Sequence, residues 1–122
     1  MRQEEITIGD DLGRVITGKT PSTKNPAFFG GDYPFVTPSD LEWRTYYCRA
    51  TERTVSDDAK DAHKGQFIPE NAVMVTCIGN TIGKCAISSR LCLTNQQINS
   101  IVPYPGIDPK FIYYLIPKFY SQ

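Results

Sequence analysis

The sequence has a single histidine, His63, and no two of its four cysteines (Cys48, Cys77, Cys85 and Cys92) are spaced C-x-x-C. Zinc sites draw on cysteine and histidine clustered at short regular spacings, so no metal is expected. The chain also lacks net charge: 13 Lys and Arg face 13 Asp and Glu. A domain that grips a polyanion alone is usually basic overall, so neutrality leaves room only for local basic patches. No apolar run approaches the roughly 20 residues of a membrane-crossing helix. The opening MRQEEITIGDDLG is acidic where a secretory leader is basic, and it has no apolar stretch. The expectation is a cytoplasmic protein with free thiols and no membrane association.

Catalytic patterns are equally scarce. Gly79-Asn80-Thr81-Ile82-Gly83-Lys84 resembles a phosphate loop, but it has three residues between its glycines, and Cys85 follows the lysine. The nucleotide-binding pattern needs four, then Ser or Thr; a glycine-flanked hairpin turn is the better reading. The available nucleophile–base pairing is Cys77 or Cys85 with His63, and both thiols sit in apolar strands where cysteine is ordinarily inert. No enzyme and no cofactor are expected.

What is present is a globular chain of 122 residues, 40% hydrophobic and 11% aromatic, enough for one domain with its own core. Gly9-Asp10-Asp11 offers a cap for a brief helix over 12–16, closed by Gly18. Residues 19–34, with Gly30-Gly31-Asp32, form a polar connection, and Phe35-Val36-Thr37 is the end of a strand. Pro38 to Leu41 is a turn or single helical turn capped by Ser39 or Asp40. Asp57, Asp58, Lys60, Asp61 and Lys64 suit a solvated helix face. Ala72 to Ile78 is a strand buried on both faces, and 84–87 is its returning partner. Leu91-Cys92-Leu93 and 98–102 are further short strands. Asp108-Pro109 opens a helix over 110–116 that Pro117 ends or bends. Short strands and few helices without regular alternation define an α+β domain.

Two features are suited to recognition. Arg44-Thr45-Tyr46-Tyr47-Cys48-Arg49, with Arg53, interleaves cations and aromatics, and 19–25 is a polar loop bearing Lys19 and Lys24. Such side chains contact phosphates and base edges, and they equally mark protein interfaces. The second feature is Thr94-Asn95-Gln96-Gln97-Ile98-Asn99, four amides between apolar flanks. Buried amides require partners, since an unpaired one costs about 1–3 kcal/mol.

Several motifs in order resemble one family. They are Ile16-Thr17-Gly18-Lys19-Thr20-Pro21-Ser22, Phe28 to Leu41, Thr51-Glu52-Arg53, Val75 to Gly79 with Thr81 to Lys84, and Thr94 to Asn99. Together they are similar to a target recognition domain of the DNA specificity subunit of type I restriction–modification enzymes. The resemblance spans nearly the whole chain and implies a single domain over 1–122 with a mixed, strongly twisted sheet of short strands. It implies double-stranded DNA, methyltransferase subunits and a restriction subunit as partners, with catalysis left to those subunits. The family's long spacer helices are not in this sequence, so a fragment or a C-terminally truncated chain is expected. Because members read different sequences while sharing segments like Thr94 to Asn99, the resemblance makes Thr94, Asn95, Gln96, Gln97 and Asn99 an internal latch. Their expected partners are the turn at 79–83 and the segment 37–40, with phosphate contact as a secondary role. Candidate DNA-contacting residues are Lys19, Lys24, Arg44, Tyr46, Tyr47, Arg49, Arg53, Lys64 and Lys84. Base reading is placed at 43–49, with Arg44 or Arg49 foremost, and at 56–66. The rival readings are a protein-interaction remnant of the same fold and an orphan cysteine enzyme.

Overall fold

A computed structural model describes residues 7–77, 79 and 82–120. Two sheets stack between two helices. The first sheet has five strands, ordered β1 (Gly13–Thr17), β8 (Ile98–Pro103), β5 (Val73–Thr76), β6 (Cys85–Ser88) and β3 (Tyr47–Cys48). The second has three, ordered β4 (Arg53–Val55), β2 (Phe29–Val36) and β7 (Leu93–Thr94). Helix α2 (Pro109–Tyr120) covers the outer face of the larger sheet through Ile112 and Ile116 on Val73, Val75, Cys85, Ile87 and Ile101. The inner face (Met74, Ala86, Ile98) meets Val36, Leu41 and Ile68. Beyond it, Phe35, Val55 and Leu93 of the smaller sheet pack on Phe67 and on Ala59 of α1 (Asp57–Ala62).

This alternation explains the strand patterns. β5 lies at the centre of the larger sheet with apolar cover on both sides, so all four of its residues are buried. Most pairs are antiparallel, but β3 runs parallel to β6 and β2 parallel to β7. The fold is therefore the mixed α+β domain expected, with its strands divided between two sheets.

Three local expectations are corrected and a fourth is narrowed. Residues 13–17 form strand β1 and no helix. The cap signal in Gly9-Asp10-Asp11 is spent on one π turn (Ile8–Leu12), which Gly13 ends at a point where a Cβ would lie 2.4 Å from the Val102 carbonyl oxygen. Gly30-Gly31-Asp32 lies inside β2, where the register against β4 shifts so that Phe29 and Tyr33 both face Val55. Pro34 is tolerated there because β7 pairs only with Phe35 and Val36, leaving β2 open on that side at the proline. The single turn Pro38–Asp40 is capped by Thr37, whose N–H donates to the Asp40 carboxylate at 2.9 Å. Finally, α2 continues through Pro117 to Tyr120. The Tyr113 carbonyl, four residues earlier, loses its helical donor to that proline and has the Cys85 thiol 4.0 Å away. Ile78, Asn80 and Thr81 of the expected strand and turn lie outside the described residues. Among the described residues no helix is long and apolar enough to cross a membrane.

Candidate nucleic-acid interface

The amide segment joins β7 to β8 and is fixed at both ends by strand pairing. Antiparallel register places Asn99 opposite Thr17, and the Thr17 hydroxyl donates to Asn99 Oδ1 at 2.6 Å. The other end of the same amide donates to Cys77 Sγ at 3.1 Å. Asn95 Oδ1 accepts the Gln97 N–H at 3.1 Å, an Asx turn, and its own N–H donates to the Val36 carbonyl at 3.0 Å. The Thr20 hydroxyl donates to Gln96 Oε1 at 2.6 Å. Among the described residues the partners are thus mainly Thr17 and Thr20, with Cys77 and Val36, and none lies in the 37–40 segment. The reason is topological: β8 pairs with β1, so the chain leaving β1 runs directly along the amide loop.

That close passage requires glycine. The N–H of Gly18 donates to the Ile98 carbonyl at 3.1 Å and that of Lys19 to the Thr94 carbonyl at 2.9 Å. A Cβ on Gly18 would lie 2.1 Å from both the Asn95 carbonyl oxygen and Thr94 Oγ1. Beside this crossing is a cleft of about 350 Å³ lined by Thr17, Gly18, Lys19, Thr20, Gln66 and Gln96. Among the described residues that line it there is no acidic side chain.

The candidate residues do not form one surface. Lys19 follows β1, at one edge of the five-stranded sheet, while Tyr47 lies on β3 at the other. Four strand spacings separate these edges, roughly 19 Å. On the β1 side, Lys24 is exposed in a turn in which its N–H donates to Ser22 Oγ at 3.3 Å. The adjoining residue Thr23 lines an open groove of about 490 Å³ with Phe29, Gly30, Glu52, Arg53 and Thr54. Arg53 lies over the Phe35 ring at 5.1 Å and the Phe29 ring at 5.9 Å. Lys64 is exposed just after α1, two residues before Gln66 of the cleft.

On the β3 side, Arg44 is exposed with φ of 65°, in the left-handed region that a non-glycine residue seldom occupies. It lines a pocket of about 450 Å³ with Trp43, Tyr46, Tyr113, Tyr114 and Pro117. Tyr46 meets Tyr114 edge to face and Tyr113 at a tilt, its hydroxyl bonds that of Tyr114, and Lys110 lies 4.8 Å over its ring. The bond to Tyr46 raises the Tyr114 hydroxyl above the ordinary tyrosine value. Trp43 and Tyr114 are 58% and 60% exposed. Arg49 covers Tyr47 at 5.4 Å, next to a concavity that includes Asp40 and Glu42. Those carboxylates oppose a phosphate.

Lys84 is corrected: it is only 8% exposed at the head of β6, so the residue is withdrawn from any flat docking surface. Gln66 of the cleft and Lys110 of the aromatic cluster did not stand out as individuals in the sequence. Lys110 was signalled only by lying three and four residues before Tyr113 and Tyr114 on one helix, and Gln66 carried no local signal.

The cysteine–histidine pairing does not assemble. His63 packs edge-on against Phe28, 6.0 Å between ring centroids, beside the smaller sheet. Burial pushes the Cys85 thiol up to about 11 and the Cys92 thiol up to about 12. Burial, and then Asp40, raise Cys48. Such thiols are poor nucleophiles near neutrality. Among the described residues no group of three or more His, Cys, Asp or Glu side chains could hold a metal ion.

The family model for the type I restriction modification DNA specificity domain matches residues 4–122. The chain belongs to that family. Its relatives include the HindI specificity subunit of Haemophilus influenzae, 37% identical over 109 residues, which cover 89% of this chain and 23% of the relative. The MjaIX specificity subunit of Methanocaldococcus jannaschii is 35% identical over 106 residues, covering 86% of this chain and 24% of the relative. This specificity domain therefore spans about a quarter of the length of the curated relatives it matches. Among solved structures, the HsdS subunit from Thermoanaerobacter tengcongensis superposes with a TM-score of 0.67 at 13% identity, over 91% of this chain and 27% of that one. A chain from a type I R-M system gives the same TM-score at 16% identity, over 94% of this chain and 28% of that one. The α+β fold described above is shared with both.

Proposed function

We infer that this specificity domain reads a short DNA sequence, one half of a bipartite target, and so directs methyltransferase and restriction subunits to it. Membership of the DNA specificity domain family over residues 4–122 carries the reading. Methyl transfer and cleavage belong to the partner subunits, and this domain contributes position alone. Zero net charge suits a module that shares its hold on DNA with the rest of a longer assembly, since phosphate neutralisation supplies much of the affinity.

The residues divide by role. Lys19, Lys24 and Lys64, exposed on loops near the β1 edge, suit phosphate contacts, which position without specifying. Arg53 suits the same role, its guanidinium backed by Phe29 and Phe35. Arg44, Tyr46, Tyr47 and Arg49 lie about a duplex width away at the β3 edge, and a base read there by Arg44 requires DNA to span the sheet. The rival reading, a protein-interaction module, draws on the exposed Trp43, Phe111 and Tyr114 around that edge. Aromatics of this kind are enriched in protein interfaces.

Selection of bound duplexes from a random-sequence pool, followed by sequencing, separates the two. DNA reading predicts enrichment of a short defined motif and binding that weakens as salt rises. Retention of duplexes without enrichment, or no retention at low salt, contradicts it.

A further inference from the structure

The cleft beside the amide loop has a chemical polarity that the family's shared motifs do not explain by themselves. The Thr20 hydroxyl donates to Gln96 Oε1 at 2.6 Å. That bond occupies one lone pair of Oε1 and orients the amide, whose NH₂ can only donate. Lys19 adds an ammonium whose backbone is anchored through its N–H to the Thr94 carbonyl at 2.9 Å. Both residues border the same cleft, about 350 Å³, and no carboxylate is among the described residues that line it. An ammonium and an amide NH₂ bordering one cleft suit an anion with several acceptor oxygens.

Gln66 borders the same cleft from the other side, and it differs. Its N–H is held by the His63 carbonyl at 3.0 Å, which fixes the chain just after α1. Its side-chain amide makes no hydrogen bond to the described residues. Both its acceptor and its donor are therefore available. A glutamine with both ends free matches the paired acceptor and donor of adenine in the major groove, N7 and N6–H₂.

We propose that this cleft seats one backbone phosphate of duplex DNA, held by Lys19 Nζ and Gln96 Nε2, and that Gln66 reads the base pair beside it. The proposal rests on the DNA reading above and names the site at which it begins. Gln66 falls in the part of the chain that departs from the shared motifs, and Lys19 and Gln96 fall within them.

The test uses the full 122-residue chain and fluorescently labelled random-sequence duplex, with affinity measured over a series of salt concentrations and bound duplexes sequenced. Lys19→Gln is expected to weaken binding alike on all sequences and to flatten the log-affinity against log-salt slope by about 1. Gln96→Glu keeps an acceptor for Thr20 but replaces the donor by an anion, and the same uniform weakening is expected. Gln66→Leu is expected to leave the slope unchanged and to erase a preference for adenine at one position. Unfolding midpoints close to that of the parent chain establish that each variant is folded. A wild-type chain that binds with a normal salt slope while Lys19→Gln and Gln96→Glu match it overturns the cleft and leaves DNA reading intact. Gln66→Leu with an unchanged motif removes the reading role. A wild-type chain that binds no duplex at any salt overturns the DNA reading, and the cleft falls with it.

Discussion

Replacing Gly18 by alanine tests the crossing that organises the site. The added Cβ would lie 2.1 Å from the Asn95 carbonyl oxygen and from Thr94 Oγ1, and 2.4 Å from the Thr94 carbonyl oxygen. Two of these are backbone atoms, so no rotamer change relieves the clash, and the two segments must part by about 1 Å. That movement stretches the Gly18-to-Ile98 and Lys19-to-Thr94 hydrogen bonds, now 3.1 and 2.9 Å, and pulls Thr20 from Gln96. Overpacking costs about 1–3 kcal/mol, and each lost hydrogen bond about 1. A total near 3–4 kcal/mol is expected, a large part of the roughly 5–15 kcal/mol of a whole domain. In urea unfolding with a slope of about 2 kcal/mol/M, the midpoint falls by about 1.5–2 M. Gly9→Ala is the control, because its Cβ would meet nothing within 4 Å, and it should stay within about 0.5 kcal/mol of the parent. A Gly18→Ala variant as stable as Gly9→Ala refutes the account of the crossing.

Other outcomes follow from buried polar groups. The Ser88 hydroxyl donates to the Pro69 carbonyl at 2.7 Å and accepts the Ala72 N–H at 2.9 Å. Ser88→Ala should therefore cost about 1–3 kcal/mol in denaturant unfolding, while Ser89→Ala, at an exposed neighbour, should cost less. Cys85 and Cys92 hold their protons more tightly folded than unfolded, with thiols at about 11 and about 12. Their contribution to stability is complete below the ordinary thiol value and is lost as pH rises through the folded values. Stability should fall above about pH 9, less steeply in a Cys85→Ala, Cys92→Ala double variant. Iodoacetamide at pH 8 should leave both thiols unmodified in the folded protein and alkylate them in urea, as mass spectrometry of the digested chain will report.

The parts of the fold legible in the sequence are those where one local signal meets no competitor. The run Val73–Thr76 reads as a doubly covered strand because every residue in it is apolar or small enough to bury. Asp108-Pro109 starts α2 because the cap and the proline agree, and the Asp108 carboxylate accepts the Lys110 N–H at 2.9 Å. Misreadings arose where tertiary contact overrides local signal. Gly31 serves as a strand residue because a Cβ there would meet the Val55 carbonyl oxygen and Ser56 Cα at 2.6 Å, a constraint set by a strand more than twenty residues away. Pro117 stays inside α2 because Ile112 and Ile116 hold the helix on the sheet.

The site was less legible than the fold. Interleaved arginines and tyrosines at 44–49 identified a surface, but whether it joins Lys19 depends on strand order, which places β1 and β3 at opposite edges. Burial of Lys84 depends on what closes over the head of β6, which composition does not carry. Gln66 gains meaning only from the loop that α1 sets beside Gln96.

The central claim is that this domain carries DNA sequence specificity, and a domain graft tests it most directly. Residues 1–122 replace one recognition domain of a recipient type I specificity subunit, with the recipient supplying the rest of the chain. Methylated sites are then mapped across a host genome by long-read sequencing. The account predicts a new half-site joined to the recipient's unchanged half, altered when Gln66 is replaced. A soluble, assembled graft that methylates no new site contradicts it.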